Sequence, residues 1–503
     1  MGVIIRQSVK NSIVSYAGAA IGMFNVLWLT PKYLTKEEIG LTRFMLDMAL
    51  LLAQFAQLGT SHLAVRFFTY FQDETQKYKG FLGFLLLLPF IGLSILIPLY
   101  IFFQPVFSDI YTKESPELLQ YYFYFLPLII FLVYIGVLEA YTRVHLRIVV
   151  PALIREVFLK LANVLLILLY GLCIIDFHWL VILFIASYGI AVILLTIYVK
   201  KLGRLYLVWD FGFIRTPLFK QMIIYSFFVL LGGAGTLLAS KIDTLMVAAY
   251  KGGLNLTGVY ALAFNIAMVI EIPRRAITQI STPLVADAWR RNDLLQIASL
   301  YKKSSINQLI AGAFLFLGVW CNIDSIFDLI PNGDTFRIGK WVVFVIAMSR
   351  VTDMANGINS EIVVNSKYYR FDLFTMVLLA FLTIFLNSIL IPRYQIVGAA
   401  MGTFISVASY NIIRTVFLWI TFRMQPFTVK TAITIGISLL TFWIVSFLPR
   451  YSNSFGAIVL TIAVRSIIIT ILYLSLIYIT GVSEELNSLA QQLTKRIGWS
   501  GNK

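Results

Sequence analysis

Charged residues are scarce in this sequence, although its net charge is strongly positive. Only 13% of its 503 residues are Asp, Glu, Lys or Arg, about half the share of an average soluble domain. Hydrophobic residues make up 59%, and apolar runs long enough to cross a bilayer recur from residue 12 to residue 480. This composition excludes an ordinary soluble protein and predicts an integral membrane protein.

Residues that build metal, disulfide or nucleotide sites are also few. The chain has two cysteines, Cys173 and Cys321, and three histidines, and none has the spacing of a metal site. No GxxxxGK motif followed by Ser or Thr is present, so ATP hydrolysis at a P-loop is excluded. Long outer loops of the kind that hold catalytic residues in membrane polymerases and glycosyltransferases are missing too. We therefore expect a protein that is not an enzyme and needs no cofactor.

The apolar runs predict an all-α, polytopic membrane protein with about fourteen transmembrane helices. The predicted spans cover residues 12–34, 41–65, 81–103, 119–142, 149–172, 179–199, 222–250, 257–273, 306–327, 341–360, 371–391, 397–422, 431–448 and 455–480. Loops after even-numbered spans are rich in Lys and Arg, whereas loops after odd-numbered spans are poor in them. The positive-inside rule then places both termini in the cytoplasm. The net charge of +16 follows from these loops facing anionic lipid, so nucleic acid is not an expected partner.

A basic linker and a weak repeat predict two related halves. The predicted parts are a six-helix bundle at 1–200, the linker at 201–221, a second six-helix bundle at 222–423, and two additional helices with a cytoplasmic tail at 424–503. Ile39-Gly40-Leu41 resembles Thr257-Gly258-Val259, each shortly after the first span of its half. Duplicated halves with a binding site between them are a common plan among transporters.

Several short motifs resemble those of one family of membrane proteins. Ile391–Thr403 (IPRYQIVGAAMGT) resembles the "IP-x-Y-G-I-x-G-A-A-x-A-T" stretch of bacterial oligosaccharide and polysaccharide flippases. These belong to the multidrug/oligosaccharidyl-lipid/polysaccharide exporter superfamily. Tyr33–Gly40 is similar to their first outer loop, Leu58-Gly59 with Arg66-Phe67 to the end of their second span, and Gly258-Val259-Tyr260 to the start of their eighth. Gln395 stands where the family usually has Gly.

The resemblance implies a fold, a cargo and a location. The fold would be two pseudo-symmetric six-helix bundles around a central cavity, plus two C-terminal helices outside the core. The cargo would be a lipid-linked oligosaccharide on a polyprenyl pyrophosphate, moved across the bacterial cytoplasmic membrane. Membrane lipid, a polysaccharide polymerase and glycosyltransferases would be partners, and Na⁺ and H⁺ both stay open as coupling ions. The alternative is a drug or small-molecule exporter of the same superfamily.

Charges inside apolar spans are the candidate site residues, because a charge in hydrocarbon usually faces protein or water. An arginine fork binds phosphate oxygens in pairs, which suits a pyrophosphate cargo. The candidate cavity cations are Arg43, Lys241, Arg275, Arg350 and Arg465. The candidate coupling carboxylates are Asp47, Asp243 and Asp353.

Each candidate also has a plainer interpretation. Arg350 and Asp353 share a helix face, so they form either an ion pair within the helix or a phosphate-binding Arg with an acid partner. Arg465 has no acidic neighbour in its span, which leaves a ligand role and an interhelical role open. Arg275 ends span eight and either anchors that helix or contacts pyrophosphate.

In the other spans, Arg43 and Asp47 share a face, and Arg43 could also reach the interface. Lys241 and Asp243 point in different directions, so each needs a partner elsewhere. Glu156 and Lys160 are expected to form a structural pair. Gly18/Gly22 and Gly398/Gly402 predict close helix contacts.

Overall fold

The computed structural model describes residues 2–73, 77–209, 212–451 and 454–488. All regular secondary structure in these ranges is helical, which confirms the all-α prediction. Residues 489–503, which include the basic residues Lys495, Arg496 and Lys503 of the predicted tail, lie outside the described part.

The described helices form two compact units. The first unit covers residues 1–261 with 391–396, and the second covers 262–390 with 397–503. The α-helices beginning in the first unit are α1 (Gly2–Phe24), α2 (Thr30–Tyr33), α3 (Lys36–Ala56), α4 (Thr60–Phe67), α5 (Phe81–Phe102), α6 (Gln104–Tyr111), α7 (Glu117–Gln120), α8 (Phe125–Val144), α9 (Val149–Leu153), α10 (Leu159–Gly171), α11 (Phe177–Lys201), α12 (Pro217–Ala249) and α13 (Gly253–Met268). Those beginning in the second unit are α14 (Ile272–Arg290), α15 (Leu294–Trp320), α16 (Ile323–Leu329), α17 (Gly333–Phe336), α18 (Lys340–Ala355), α19 (Asn359–Val364), α20 (Tyr369–Phe422), α21 (Val429–Ser446) and α22 (Phe455–Ile479).

The helices make this a multi-pass membrane protein. Among the described residues, ten helices are long and apolar enough to cross a bilayer, or eleven if the bent pair α15 and α16 forms one span. The number is below fourteen partly because α20 alone contains two predicted spans. In addition, α18 has only 16 residues, and residues 149–171 carry three charges.

Glycines bring helices of the first unit into close contact. A Cβ atom built on Gly18 would lie 2.5 Å from the main-chain oxygen of Glu156, so α1 fits against the π-helical turn Ile154–Phe158 only without a side chain there. This confirms the predicted close contact at Gly18 and Gly22. At the crossing of α3 and α13, a Cβ on Gly40 would lie 2.1 Å from Leu254 O, and one on Gly258 would lie 2.0 Å from Lys36 O.

The predicted basic linker is anchored on the first unit. Arg204 contacts the Nδ1 atom of His145, and its main-chain oxygen accepts a hydrogen bond from the Tyr141 hydroxyl (2.9 Å). Further along, Phe213 packs edge-on against Phe71 at a ring separation of 4.9 Å. These contacts attach the linker on both sides of residues 210 and 211 to helices of the first unit.

The two additional C-terminal helices pack within the second unit. Helices α21 and α22 pack on each other and on α15, around the buried side chains of Val445, Ile469 and Tyr473. The Tyr473 hydroxyl donates to Ile310 O (3.1 Å), so the only polar end of this ring is satisfied within the contact. Helices α21 and α22 are therefore part of the second unit.

Helix α20 is interrupted at Gln395. This residue has φ 52° and ψ −132°, a conformation that favours glycine and is strained for other residues. The interruption divides α20 into two segments that correspond to the predicted spans 371–391 and 397–422. The segments then pack closely, because a Cβ on Gly402 would lie 2.2 Å from the side-chain oxygen of Asn387.

Candidate functional site

A buried carboxylate with two cations lies in the first unit. Asp47 on α3 has no exposed surface, and its Oδ2 atom lies 2.7 Å from Arg43 Nε one turn earlier. Lys241 on α12 places its Nζ atom 2.7 Å from the other carboxylate oxygen. Both cationic side chains are about four-fifths buried. The group therefore carries one excess positive charge inside the protein.

The second acid of α12 has a different partner. Asp243 is almost fully buried and accepts a hydrogen bond from the Tyr260 hydroxyl on α13 (2.5 Å). Lys241 and Asp243 thus turn toward different neighbours, as their spacing predicted. The structure accounts for both charges by contacts within the first unit.

The second unit contains a ladder of ion pairs between two segments. Arg350 Nη1 on α18 lies 3.5 Å from Glu271 Oε2, and Arg274 Nη1 on α14 lies 3.0 Å from Asp353 Oδ2. Arg350 and Asp353 share a face of α18, but each pairs with the segment 271–274 instead of with the other. Of the two interpretations left open for Arg350 and Asp353, the ion pair within the helix is not the arrangement that these contacts show.

Arg275 lies at the rim of this ladder. Its Nε atom is 3.6 Å from Glu271 Oε1, and its side chain is 70% exposed. Together, Arg274, Arg275 and Arg350 face the carboxylates of Glu271 and Asp353. The buried part of the ladder pairs two arginines with two carboxylates, and the exposed Arg275 adds a cation at its rim.

Amides extend the network around Asp353. Asn411 on α20 donates to Asp353 Oδ1 (2.9 Å) and accepts from Asn359 on α19 (2.8 Å). Nearby, Thr415 donates to Asn356 Oδ1 (2.9 Å). Buried polar groups of this kind hold their helices in one arrangement when all their partners are present.

The sequence reasoning missed the most deeply buried cation. Arg414 on α20 has no exposed surface and forms an ion pair with Asp372, while its Nε atom donates to Thr375 Oγ1 (3.0 Å). Its guanidinium carbon also lies 4.0 Å from the centre of the Tyr410 ring. The signal was available, because Arg414 is a charge inside the predicted span 397–422.

Arg465 lies apart from the ladder and joins helices. It donates to the main-chain oxygens of Cys321 (2.8 Å) and Leu448 (2.6 Å), so it links α22 to the ends of α15 and α21. It also lines a cavity of about 180 Å³ with Trp320, Asp324 and Lys340. These contacts match the interhelical interpretation of this residue.

The remaining pairs are structural. Lys160 Nζ lies 2.9 Å from Glu156 Oε2 and also donates to Gly18 O (3.0 Å), which confirms the predicted pair.

In the part of the chain that the structure describes, no group of three His, Cys, Asp or Glu side chains is placed to hold a metal ion. In the group around Asp47, two largely buried cations contact one carboxylate, an arrangement that suits binding of an anion.

The fold is similar to that of solved structures that are described as a lipid flippase and as transporters of the multidrug/oligosaccharidyl-lipid/polysaccharide (MOP) superfamily. A structure described as the lipid II flippase MurJ in an inward closed conformation superposes with a TM-score of 0.70 at 15% identity, covering 93% of this chain and all of that one. An inward-facing MATE family multidrug resistance transporter of the superfamily gives 0.62 at 14% identity, covering 83% of this chain and 98% of that one. A MOP superfamily transporter from Pyrococcus furiosus gives 0.56 at 15% identity, covering 84% and 95%.

The likeness lies in the fold and not in the sequence. No protein-family model matches the chain, and no curated protein matches it either. At these identities the superpositions establish the shared fold, and function has to be argued from the residues.

Proposed function

We propose that this protein is a flippase that moves a polyprenyl-pyrophosphate-linked oligosaccharide from the cytoplasmic to the outer leaflet of a bacterial inner membrane. The observation that carries the proposal is that Arg43 and Lys241, both largely buried, share the single carboxylate of Asp47. A pyrophosphate must exchange water for fixed positive charge, because an unpaired ion in a low dielectric is very costly. A group that already has one cation in excess provides that charge.

The likeness to solved structures supports a lipid-linked cargo. The flippase superposition covers more of this chain than the multidrug transporter does, 93% against 83%. The sequence motifs resemble the polysaccharide branch of the same superfamily. The cargo would serve the synthesis of O-antigen, capsule or exopolysaccharide, with a polymerase and glycosyltransferases as partners.

The proposed roles follow the contacts. In the first unit, Arg43 and Lys241 are the proposed pyrophosphate contacts, and Asp47 would hold them when no cargo is present. In the second unit, considered by itself, Arg350 and the exposed Arg275 are the proposed contacts, and Glu271 would hold them, while Asp353 holds Arg274. A carboxylate and a phosphate compete for the same donors. Asp243 remains a proposed coupling carboxylate. We leave Arg465 out of the pathway because its Nη donors serve two main-chain oxygens.

The experiment is transport of a fluorescent polyprenyl-pyrophosphate oligosaccharide in proteoliposomes. We expect Arg350→Ala to slow flipping about 10- to 100-fold, because a hydrogen bond to a charged group contributes about 1.5–3 kcal/mol. Arg290→Ala is the matched control, since Arg290 forms only an exposed pair with Asp287. Both variants must keep the wild-type elution profile in size-exclusion chromatography.

The multidrug exporter is the second candidate, favoured by the superposition on the MATE transporter. Export of a cationic dye, together with no movement of a cognate lipid-linked oligosaccharide, would establish it and overturn the flippase. A cationic drug would need the carboxylates as its contacts. Asp47→Asn would then reduce export more than Arg350→Ala does.

A further inference from the structure

Glu361 is the one acid near the ladder that the proposed pathway does not use. It lies on the short helix α19, and its Oε2 atom is buried without a hydrogen-bond partner among the described residues. The coupling carboxylates predicted from the sequence differ in this respect. Asp47 has two cations, Asp243 has Tyr260, and Asp353 has Arg274 and Asn411.

The charges around Glu361 come from each neighbouring helix. Arg274 on α14, Asp353 on α18 and Arg414 on α20 act directly on its carboxyl group. Asp372 on the first part of α20 neutralises Arg414. The side chain of Tyr410 on α20 interacts with the Ser360 side chain through a hydrogen bond. The buried hydroxyl of Tyr301 on α15 lies 3.3 Å from Thr415 Oγ1.

Charge balance singles out Glu361 within this group. Two arginines face three carboxylates, and each arginine already has its own aspartate. With all five groups ionised, the buried cluster carries one net negative charge, which belongs to Glu361. A buried charge without a partner is avoided by taking up a proton. Protonation makes the cluster neutral and leaves both arginine–aspartate pairs intact.

The cluster also offers an alternative pairing for an ionised Glu361. Arg274 Nε and Arg414 Nη1 are buried without hydrogen-bond partners among the described residues. If Glu361 loses its proton, its carboxylate is attracted to these two guanidinium groups and competes with Asp353 and Asp372. Protonation of Glu361 is therefore linked to which ion pairs form between the side chains of α14, α18 and α20.

We propose that Glu361 is a proton-binding site of this protein and that its protonation gives transport its pH dependence. The proton comes from water and forms an O–H bond at the carboxyl group, and it returns to water when the ion pairs rearrange. The transport half of this inference rests on the proposed flippase function, whereas proton binding does not.

Proton binding is tested on the full-length protein in lipid nanodiscs, without substrate. Infrared difference spectra between wild type and Glu361→Gln at neutral pH should show the loss of one protonated-carboxyl C=O band. Glu484→Gln is the matched control because its side chain is 77% exposed, and it should leave that band unchanged. A wild-type spectrum in which Glu361→Gln removes only ionised carboxylate absorption would overturn the proposal.

Coupling is tested by the pH profile of lipid-linked oligosaccharide flipping. In the wild type, the rate should change about tenfold per pH unit on the side where the active protonation state becomes rare. Glu361→Gln should remove this dependence, and Glu361→Asp should keep it because it still titrates. An unchanged profile in Glu361→Gln would overturn the coupling role.

The two readouts separate the two proposals. If the band is lost but wild-type protein moves no lipid-linked oligosaccharide, the proposed cargo is wrong and the proton site is supported. If flipping is observed and the band is insensitive to Glu361→Gln, the cargo is supported and the proton site is wrong. Matching tryptophan fluorescence of the variants shows that neither result comes from misfolding.

Discussion

The three-charge group around Asp47 predicts that replacing its carboxylate and replacing one of its cations have unequal effects on stability. Replacing Asp47 by Asn keeps the shape of the side chain but removes the carboxylate that two largely buried cations contact. Breaking a buried ion pair by removing one partner costs about 3–5 kcal/mol. We expect Asp47→Asn to lower the free energy of unfolding by this amount.

Replacing Lys241 has a much smaller expected effect. Lys241→Met removes the excess cation and leaves Arg43 and Asp47 as a balanced pair 2.7 Å apart. Hydrophobic replacement of buried charges is often close to neutral, so we expect a change of about 1 kcal/mol or less. The double variant Asp47→Asn with Lys241→Met should be more stable than Asp47→Asn alone, since it also removes one of the two cations that lost the carboxylate.

The assay is unfolding in mixed micelles with increasing SDS, followed by tryptophan fluorescence. All variants are purified in the same detergent and compared at one protein concentration, so that differences report the folded state. Equal destabilisation by Asp47→Asn and Lys241→Met would refute the reasoning. It would mean that Lys241 contributes by packing and that the charge balance of the group does not decide stability.

Three further predictions concern the second unit and the interruption of α20. Gln395→Gly should stabilise the protein by about 0.5–1 kcal/mol, because relief of a positive φ outweighs the added freedom of the unfolded chain; a lower melting temperature would contradict the strained backbone. Arg414→Leu should destabilise by about 3–5 kcal/mol by leaving Asp372 unpaired, and adding Asp372→Leu should recover part of that loss in the same SDS titration; no recovery would show that the ion pair does not carry the effect. Arg465→Lys should cost about 1–2 kcal/mol, since one of two carbonyl contacts is lost, with flipping per folded molecule unchanged; slower flipping would return Arg465 to the pathway.

The sequence predicts the helices well because lipid imposes a simple rule on them. Each span must be apolar over about 20 residues, and every predicted span falls largely on helix. The same rule identified Arg350, Lys241 and Asp353 as charges with protein partners. The ion pair of Glu156 and Lys160 was also predicted correctly, because neighbours on one helix can be paired from their spacing alone.

Partners on other helices could not be predicted. To predict that Arg350 pairs with Glu271, one must know how α18 is oriented about its own axis. The sequence of a helix that is apolar all round does not show which face contacts protein. Arg414 illustrates a different limit, since it satisfies the same rule as Arg350 and was overlooked. Glu361 lies just after the end of a predicted span, where a charged residue usually marks the boundary between membrane and water.

The two glycines at the crossing of α3 and α13 bear on how the chain evolved and on which substitutions it tolerates. Gly40 and Gly258 occupy equivalent places in the weak repeat. A Cβ atom built on Gly40 would lie 3.1 Å from the main-chain nitrogen of Gly258, and one built on Gly258 would lie 3.2 Å from that of Gly40. Such a reciprocal contact is what an isologous interface of a homodimer has, where each residue meets its counterpart across a two-fold axis. A duplicated ancestor that paired with itself would leave this imprint.

Reciprocity also makes the two positions one mutational unit. Gly40→Ala and Gly258→Ala each force the helices apart at the same point, so the second substitution enters space that the first has opened. The double variant should therefore lose clearly less stability than the sum of the single variants.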